Sequence, residues 1–168
     1  STARQTSVAT ATLQVPAGAA IDARVAFGAE VYDPAGRALP LTVTLTKTAT
    51  NVWQPAIEGG PGRVVDVTAT GGGAATLGFD PLGQPLPPAT FTATVTEAGG
   101  TPWSFAMDLS GAVQWGGPFG LSTYVQDGYP QGKLTAIEFD SRGRVVGQFD
   151  NGRAEALFQL AIANFANA

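Results

Sequence analysis

The stretch that decides the fold reads DGYPQGKLTAIEFDSRGRVVGQFDNGRAEALFQLAIANF, residues 127–165. It resolves into three strands and two tight turns. Residues 133–140 form the first strand, with Leu134, Ala136 and Glu138 on one face and Thr135, Ile137 and Phe139 on the other, since side chains alternate along a strand. Asp140-Ser141-Arg142-Gly143 follows: Asp at the first turn position bonds the backbone two residues on, and Gly at the fourth tolerates positive φ. Residues 144–149 are the second strand. Asp150-Asn151-Gly152 is then hairpin chemistry, because Asn and Gly accept positive φ at low cost. Residues 154–165 carry two signals. Ala, Glu, Leu and Gln favour a helix that Asn151 could cap; Phe158, Leu160 and Ile162 alternate at period two, as one buried face of a strand does. The hairpin before them favours the strand.

Working outward, the same grammar fills the rest of the chain. Residues 8–15 alternate as a strand and stop at Pro16-Ala17-Gly18. Residues 24–32 put Val25, Phe27, Ala29 and Val31 on one face and end at Asp33-Pro34-Ala35-Gly36. In residues 41–48, Leu41, Val43 and Leu45 face inward and threonines face out, β-branched and polar as a solvated sheet face requires. Residues 51–57 are the hairpin partner, with Trp53 set to cover a sheet face. Strands are also expected at 63–70, 75–79, 90–96 and 102–109, with Gly71-Gly72-Gly73 and Asp80-Pro81-Leu82-Gly83 as breaks. Residues 84–88 read as extended and Pro-rich, and residues 110–126 as irregular, rich in Gly and aromatics. Many short strands with Asp-x-x-Gly turns at Asp33, Asp80 and Asp140 predict a mostly-β fold, an antiparallel β-sandwich or barrel. The unequal spacing of these turns is recurrent turn chemistry and not a repeat array.

Composition narrows the function classes. The 168 residues are 44% hydrophobic, enough for a core, but only 13% charged, about half of the roughly 25% usual in globular domains. An uncharged polar surface suits extensive contact with other protein surfaces; a coding bias toward Ala, Gly, Pro and Arg gives the same composition. The net charge is −4 with nine scattered basic residues, so there is no basic patch for nucleic acid and no polybasic face for a membrane. No apolar run approaches the roughly 20 residues of a membrane-spanning helix, and no signal peptide is visible. The chain begins at Ser1 without an initiator Met, as a fragment or processed product would. Without Cys or His, disulfides, thiolate catalysis, Cys/His metal sites and a Ser-His-Asp triad are excluded.

The remaining candidates have simpler explanations. Asp33, Asp80 and Asp140 could pair as hydrolytic carboxylates, but each already has a turn to initiate. A calcium loop needs denser oxygen ligands than one Asp-x-x-Gly supplies. Gly71-Gly72-Gly73 lacks the Lys-Ser/Thr of a phosphate loop and reads as a connector. Trp53, Trp103 and Trp115 could be sugar-stacking platforms, although aromatics more often fill cores. No catalytic, cofactor-binding or metal-ligating residue is assigned, and no enzymatic activity is expected.

The residues also carry a family resemblance. Asp127, Gly128, Tyr129, Gly132, Leu134, Asp140, Gly143, Val145, Gly147, Asn151, Gly152, Leu157, Gln159, Ala161, Ala163, Phe165 and Asn167 fall at the spacing of a closing segment of bacterial flagellar hook proteins. Upstream, VYDPAGRALPLTVTLTKTATNVWQ, with Asp33, Gly36, Leu41, Thr42, Val43, Lys47, Asn51 and Trp53, is similar to a hook-protein stretch. LGFDPLGQPL and MDLSG match more loosely. Pro40 departs from the pattern, and residues 58–75 match in little but length.

The resemblance implies an outer hook-type β domain over residues 1–124 and a later, incomplete segment of an inner domain over 125–168. It implies a structural subunit of the flagellar hook, exported unfolded and polymerised into a flexible extracellular tube that passes torque from motor to filament. Partners implied are copies of itself in a helical assembly and other axial proteins (rod, hook cap, hook–filament junction), with no nucleic acid and no membrane. This stretch alone, lacking the polymerising ends, is expected to be a monomer. Two other readings remain: a β-sandwich that binds carbohydrate or a surface, marked by an exposed coplanar aromatic strip, and a related axial rod protein.

Overall fold

A computed structural model describes residues 1–159, and every element in it is a strand. The first sheet is built around β1 (Val8–Pro16), whose Ala9, Ala11, Leu13 and Val15 point inward and are no more than 2% exposed. β11 (Gly120–Gln126) runs antiparallel along one side of β1. On the other side β9 (Trp103–Asp108) and then β10 (Val113–Trp115) lie parallel to it. β8 (Thr90–Glu97) pairs with β9, and β5 (Arg63–Ala69) forms the edge. The second sheet is an antiparallel meander of β2 (Arg24–Tyr32), β3 (Ala38–Ala49), β4 (Val52–Glu58), β6 (Leu77–Phe79) and β7 (Pro85–Leu86). Inner faces of both sheets merge in one core, where Leu13, Phe91 and Met107 of the first meet Val43, Leu45 and Trp53 of the second. That is the sandwich the alternation predicts.

A buried polar chain crosses this core. Trp53 is fully buried, and its Nε1 donates to Gln114 Oε1 at 2.8 Å; Gln114 Nε2 in turn donates to Asn51 Oδ1 at 2.7 Å. Lys47 continues the inward face of Leu41, Val43 and Leu45 and is only 6% exposed. Its ammonium donates to the carbonyls of Ala17 (3.0 Å) and Ala19 (2.8 Å) and lies 5.9 Å from the Trp53 ring. A cation can be buried there because its protons meet acceptors and its stem covers apolar surface.

Residues 110–126 are not irregular: they contain β10 and β11. The expectation fails because Leu121 and Val125 remain exposed, so β11 shows no buried alternation. Its strand character comes from backbone pairing with β1, a partner more than a hundred residues away. The parallel pairs at β1 likewise make the first sheet mixed.

A separate three-stranded antiparallel sheet follows: β12 (Leu134–Phe139), β13 (Arg144–Phe149) and β14 (Ala154–Gln159). Both predicted hairpins are present, and 154–159 are strand as expected; residues 160–165 lie outside the described residues. One detail changes. An irregularity between Leu134 and Ala136 turns Leu134 onto the face of Ile137 and Phe139, where it covers Gly147. Phe139 and Phe158 flank Val145 in register. Val145 is 2% exposed, but Ile137, Phe139 and Phe158 are 52%, 69% and 59% exposed.

The Trp53–Gln114 bond makes a prediction. Trp53→Phe keeps most of the ring volume but leaves a buried Gln114 oxygen without its donor. It should lower the unfolding free energy by about 1–3 kcal/mol, read from urea denaturation followed by circular dichroism. An unchanged midpoint would mean the bond contributes nothing net.

Candidate functional site at the junction of the β blocks

The three aspartates do turn work. Asp33 Oδ1 accepts the amides of Ala35 (2.9 Å) and Arg37 (2.8 Å); Asp80 Oδ1 takes Leu82 (2.8 Å) and Gln84 (2.9 Å); Asp140 Oδ1 takes Arg142 (2.8 Å) and Arg144 (2.9 Å). In two of the turns the second oxygen also holds an arginine at 2.6 Å, Arg37 for Asp33 and Arg144 for Asp140. Each carboxylate is committed within its own turn. Among the described residues no group of three or more Asp or Glu is placed to hold a metal ion. Gly71, Gly72 and Gly73 all have positive φ and form the turn after β5. The tryptophans form no shared platform: Trp53 is buried, Trp103 tilts against Phe105 with centroids 5.9 Å apart, and only Trp115 is half exposed.

Specific polar geometry concentrates where the sandwich meets the three-stranded sheet. Two chain crossings connect them, residues 1–7 going in and 126–133 coming out. They run antiparallel, with Arg4 and Tyr129 exchanging both backbone hydrogen bonds at 2.9 Å. Thr6 is fully buried. Its amide donates to Tyr32 O (2.9 Å), its hydroxyl oxygen accepts the Tyr32 amide (2.8 Å), and its hydroxyl donates to Gln126 Oε1 (2.6 Å). Gln126 Oε1 also accepts the Gly128 amide at 2.7 Å. Position 128 has room only for glycine, because a Cβ there would lie 2.5 Å from Thr6 Oγ1 and 2.7 Å from Thr6 N.

Asp127 is the centre of the junction. Its carboxylate accepts the amides of Ser7 (2.7 Å) and Val8 (3.0 Å), the Ser7 hydroxyl and the Arg4 guanidinium (2.8 Å). Partial burial pushes the carboxyl up, but the Ser7 hydroxyl, the Val8 and Ser7 amides and the Arg4 charge outweigh it and hold the pKa down at about 2. Past the junction, Asn151 Nδ2 donates to Pro130 O (2.9 Å), Arg153 stacks 4.3 Å from the Tyr129 ring, and Ser1 Oγ donates to Glu155 (2.7 Å). This arrangement fastens the two crossings between the β blocks to each other. Sequence reading missed it because residues 1–7 show no alternation of polar and apolar side chains; their partners lie about 120 residues away.

A family model described as the flagellar basal body protein FlaE D2 domain matches residues 5–129, well over half of the chain. The flagellar hook protein FlgE of Escherichia coli K12 is 29% identical over 140 residues, covering 82% of this chain and 34% of that protein. FlgE of Salmonella typhimurium is 30% identical over 139 residues with the same coverage. FlgE of Helicobacter pylori is 55% identical over 42 residues, 25% of this chain and 6% of that protein. A solved structure of H. pylori flagellar hook protein FlgE2 aligns with a TM-score of 0.48 and 15% identity, covering 82% of this chain and 32% of that one. The chain thus spans about a third of the length of the first two relatives.

The Asp127 clasp makes the second prediction. Its folded pKa lies below the ordinary 3.8, so its contribution is full above that value and is lost as pH falls toward about 2. Asp127→Asn should lower stability near neutral pH by about 1–2 kcal/mol and flatten the acid loss seen in the parent over that window. Denaturant titrations at stepped pH read both effects; parallel pH curves for parent and variant would contradict the assignment.

Proposed function

The chain belongs to the FlaE D2-domain family of flagellar proteins, and from that premise we propose that it is the β portion of a flagellar hook subunit. Its role is structural: it is a block in a self-assembling tube, not a catalyst. The observation that carries this reading is the extent of the family match, residues 5–129. The match takes in the whole sandwich, from one crossing of the junction to the other.

We propose the outer domain at 1–124 and a later, incomplete segment of an inner one at 125–168, with the crossings at 1–7 and 126–133 as the seam. The apolar face of the three-stranded sheet supports an incomplete inner unit. Ile137, Phe139 and Phe158 stand more than half exposed around Val145, an apolar cluster of the kind that marks a contact surface. Head-to-tail contacts that do not close generate a helical tube. Its partners are then copies of the same subunit together with the rod, hook cap and hook–filament junction proteins, in an extracellular structure that bends while passing torque. A carbohydrate-binding sandwich is the weaker reading, because Trp53 is buried in the core.

The test is assembly of the full-length parent protein in a flagellated bacterium lacking its own hook protein, with basal bodies imaged by electron microscopy. Curved tubes of this protein on the basal bodies are expected. A protein that is expressed and exported but forms no tube would overturn the reading.

A further inference from the structure

The Asp33–Gly36 turn does more than reverse β2 into β3. It is braced to the first sheet: Arg37 bonds Asp33 Oδ2 at 2.6 Å and Glu97 Oε2 at 2.9 Å, and Glu97 Oε1 holds Arg63 at 2.9 Å. The turn therefore moves with the sandwich as one body. Its glycine backs onto the crossings on the far side of the Arg4–Tyr129 bridge. A Cβ on Gly36 would lie 2.5 Å from Ala3 Cβ, 3.3 Å from Gln131 N and 3.4 Å from Pro130 Cα. Those residues belong to the three-stranded sheet's side of the junction, tied to it by Asn151 on the Pro130 carbonyl and by the charged Ser1 amine on Gly132 O (3.3 Å).

We propose that the turn at Gly36 is a steric stop that sets the angle between the sandwich and the three-stranded sheet. The Asp127 clasp holds the two crossings together but does not limit tilt. Contact of Gly36 with Ala3 and the 130–131 backbone does, since packed atoms resist approach far more steeply than hydrogen bonds resist bending. The absence of a side chain at position 36 selects the observed angle. For a hook subunit this would fix the resting geometry of one joint; that meaning rests on the reading above, whereas the stop itself does not.

The chain has no cysteine, so spin labels can be placed at will. Thr48→Cys at the far end of β3 and Ser141→Cys at the exposed β12–β13 turn report the inter-block distance by double electron–electron resonance. Gly36→Ala should shift the mean distance. Gly62→Ala should not, because Gly62 has a similar φ of +73° but no atom within 4 Å of where a Cβ would stand. Ala3→Gly added to Gly36→Ala should return the mean toward the parent value, and Ala3→Leu alone should shift it without any backbone strain. An unshifted mean in both Gly36→Ala and Ala3→Leu would overturn the stop, as would a shift that Ala3→Gly fails to reverse. These outcomes are independent of whether the parent protein builds hooks.

Discussion

Everything in this molecule depends on how β1 is paired. Its inward side chains are buried, so its backbone amides and carbonyls need protein partners along both edges. The chain supplies them from its far end: β11 on one side, β9 and β10 on the other. The core side chains alone would accept other neighbours. What fixes the topology is that the strand nearest the N-terminus can be satisfied only after residues 103–126 have arrived. Such non-local pairing carries a large loop-closure cost, met here by a core that reaches across both sheets from Leu13 to Trp53.

The junction follows from the same constraint. Because β11 runs antiparallel to β1, the chain leaves the sandwich beside the point where it entered. Residues 1–7 and 126–133 therefore travel together, and a double crossing resists twisting where a single linker would swivel. Thr6 bonds Tyr32 at the end of β2 as well as Gln126 at the end of β11, so both sheets of the sandwich hold the crossing. Asp127 accepts from groups on the opposite strand only, which makes it a fastener between the crossings and not part of a local turn.

Local grammar was legible in the sequence. The threonine-outward strand at 38–49, the inward Phe91, Ala93 and Val95, and all three Asp-x-x-Gly turns stand where alternation and turn chemistry put them. What could not be read was anything settled by a distant partner. β11 lacks an amphipathic pattern, so nothing at 120–126 announced a strand. Leu134 changed faces because an irregularity depends on how β12 meets β13. Lys47 is a charge at the end of an apolar face, and only the carbonyls at 17 and 19 explain how it stays inside. The junction residues were hidden for the same reason: Thr6, Ser7 and Asp127 look ordinary until the two crossings are laid side by side. The family resemblance was readable from spacing because spacing is itself local.

The scarcity of charge gives the placement of the ion pairs meaning. Only 13% of the residues are charged, yet four of the described ion pairs, Arg4–Asp127, Arg37–Asp33, Arg37–Glu97 and Arg63–Glu97, gather at the end of the sandwich that faces the three-stranded sheet. Exposed pairs add little stability singly, typically about 0.2–1 kcal/mol. Their directional geometry is the more useful property: an arginine held between two carboxylates tolerates few arrangements. At the opposite end, the turn at 80–83 and its neighbour Trp115 present Leu82 and an indole to solvent. Ion pairing, though not charge as such, is thus concentrated where the crossings meet the sandwich, at the end whose orientation to the three-stranded sheet the pairs brace.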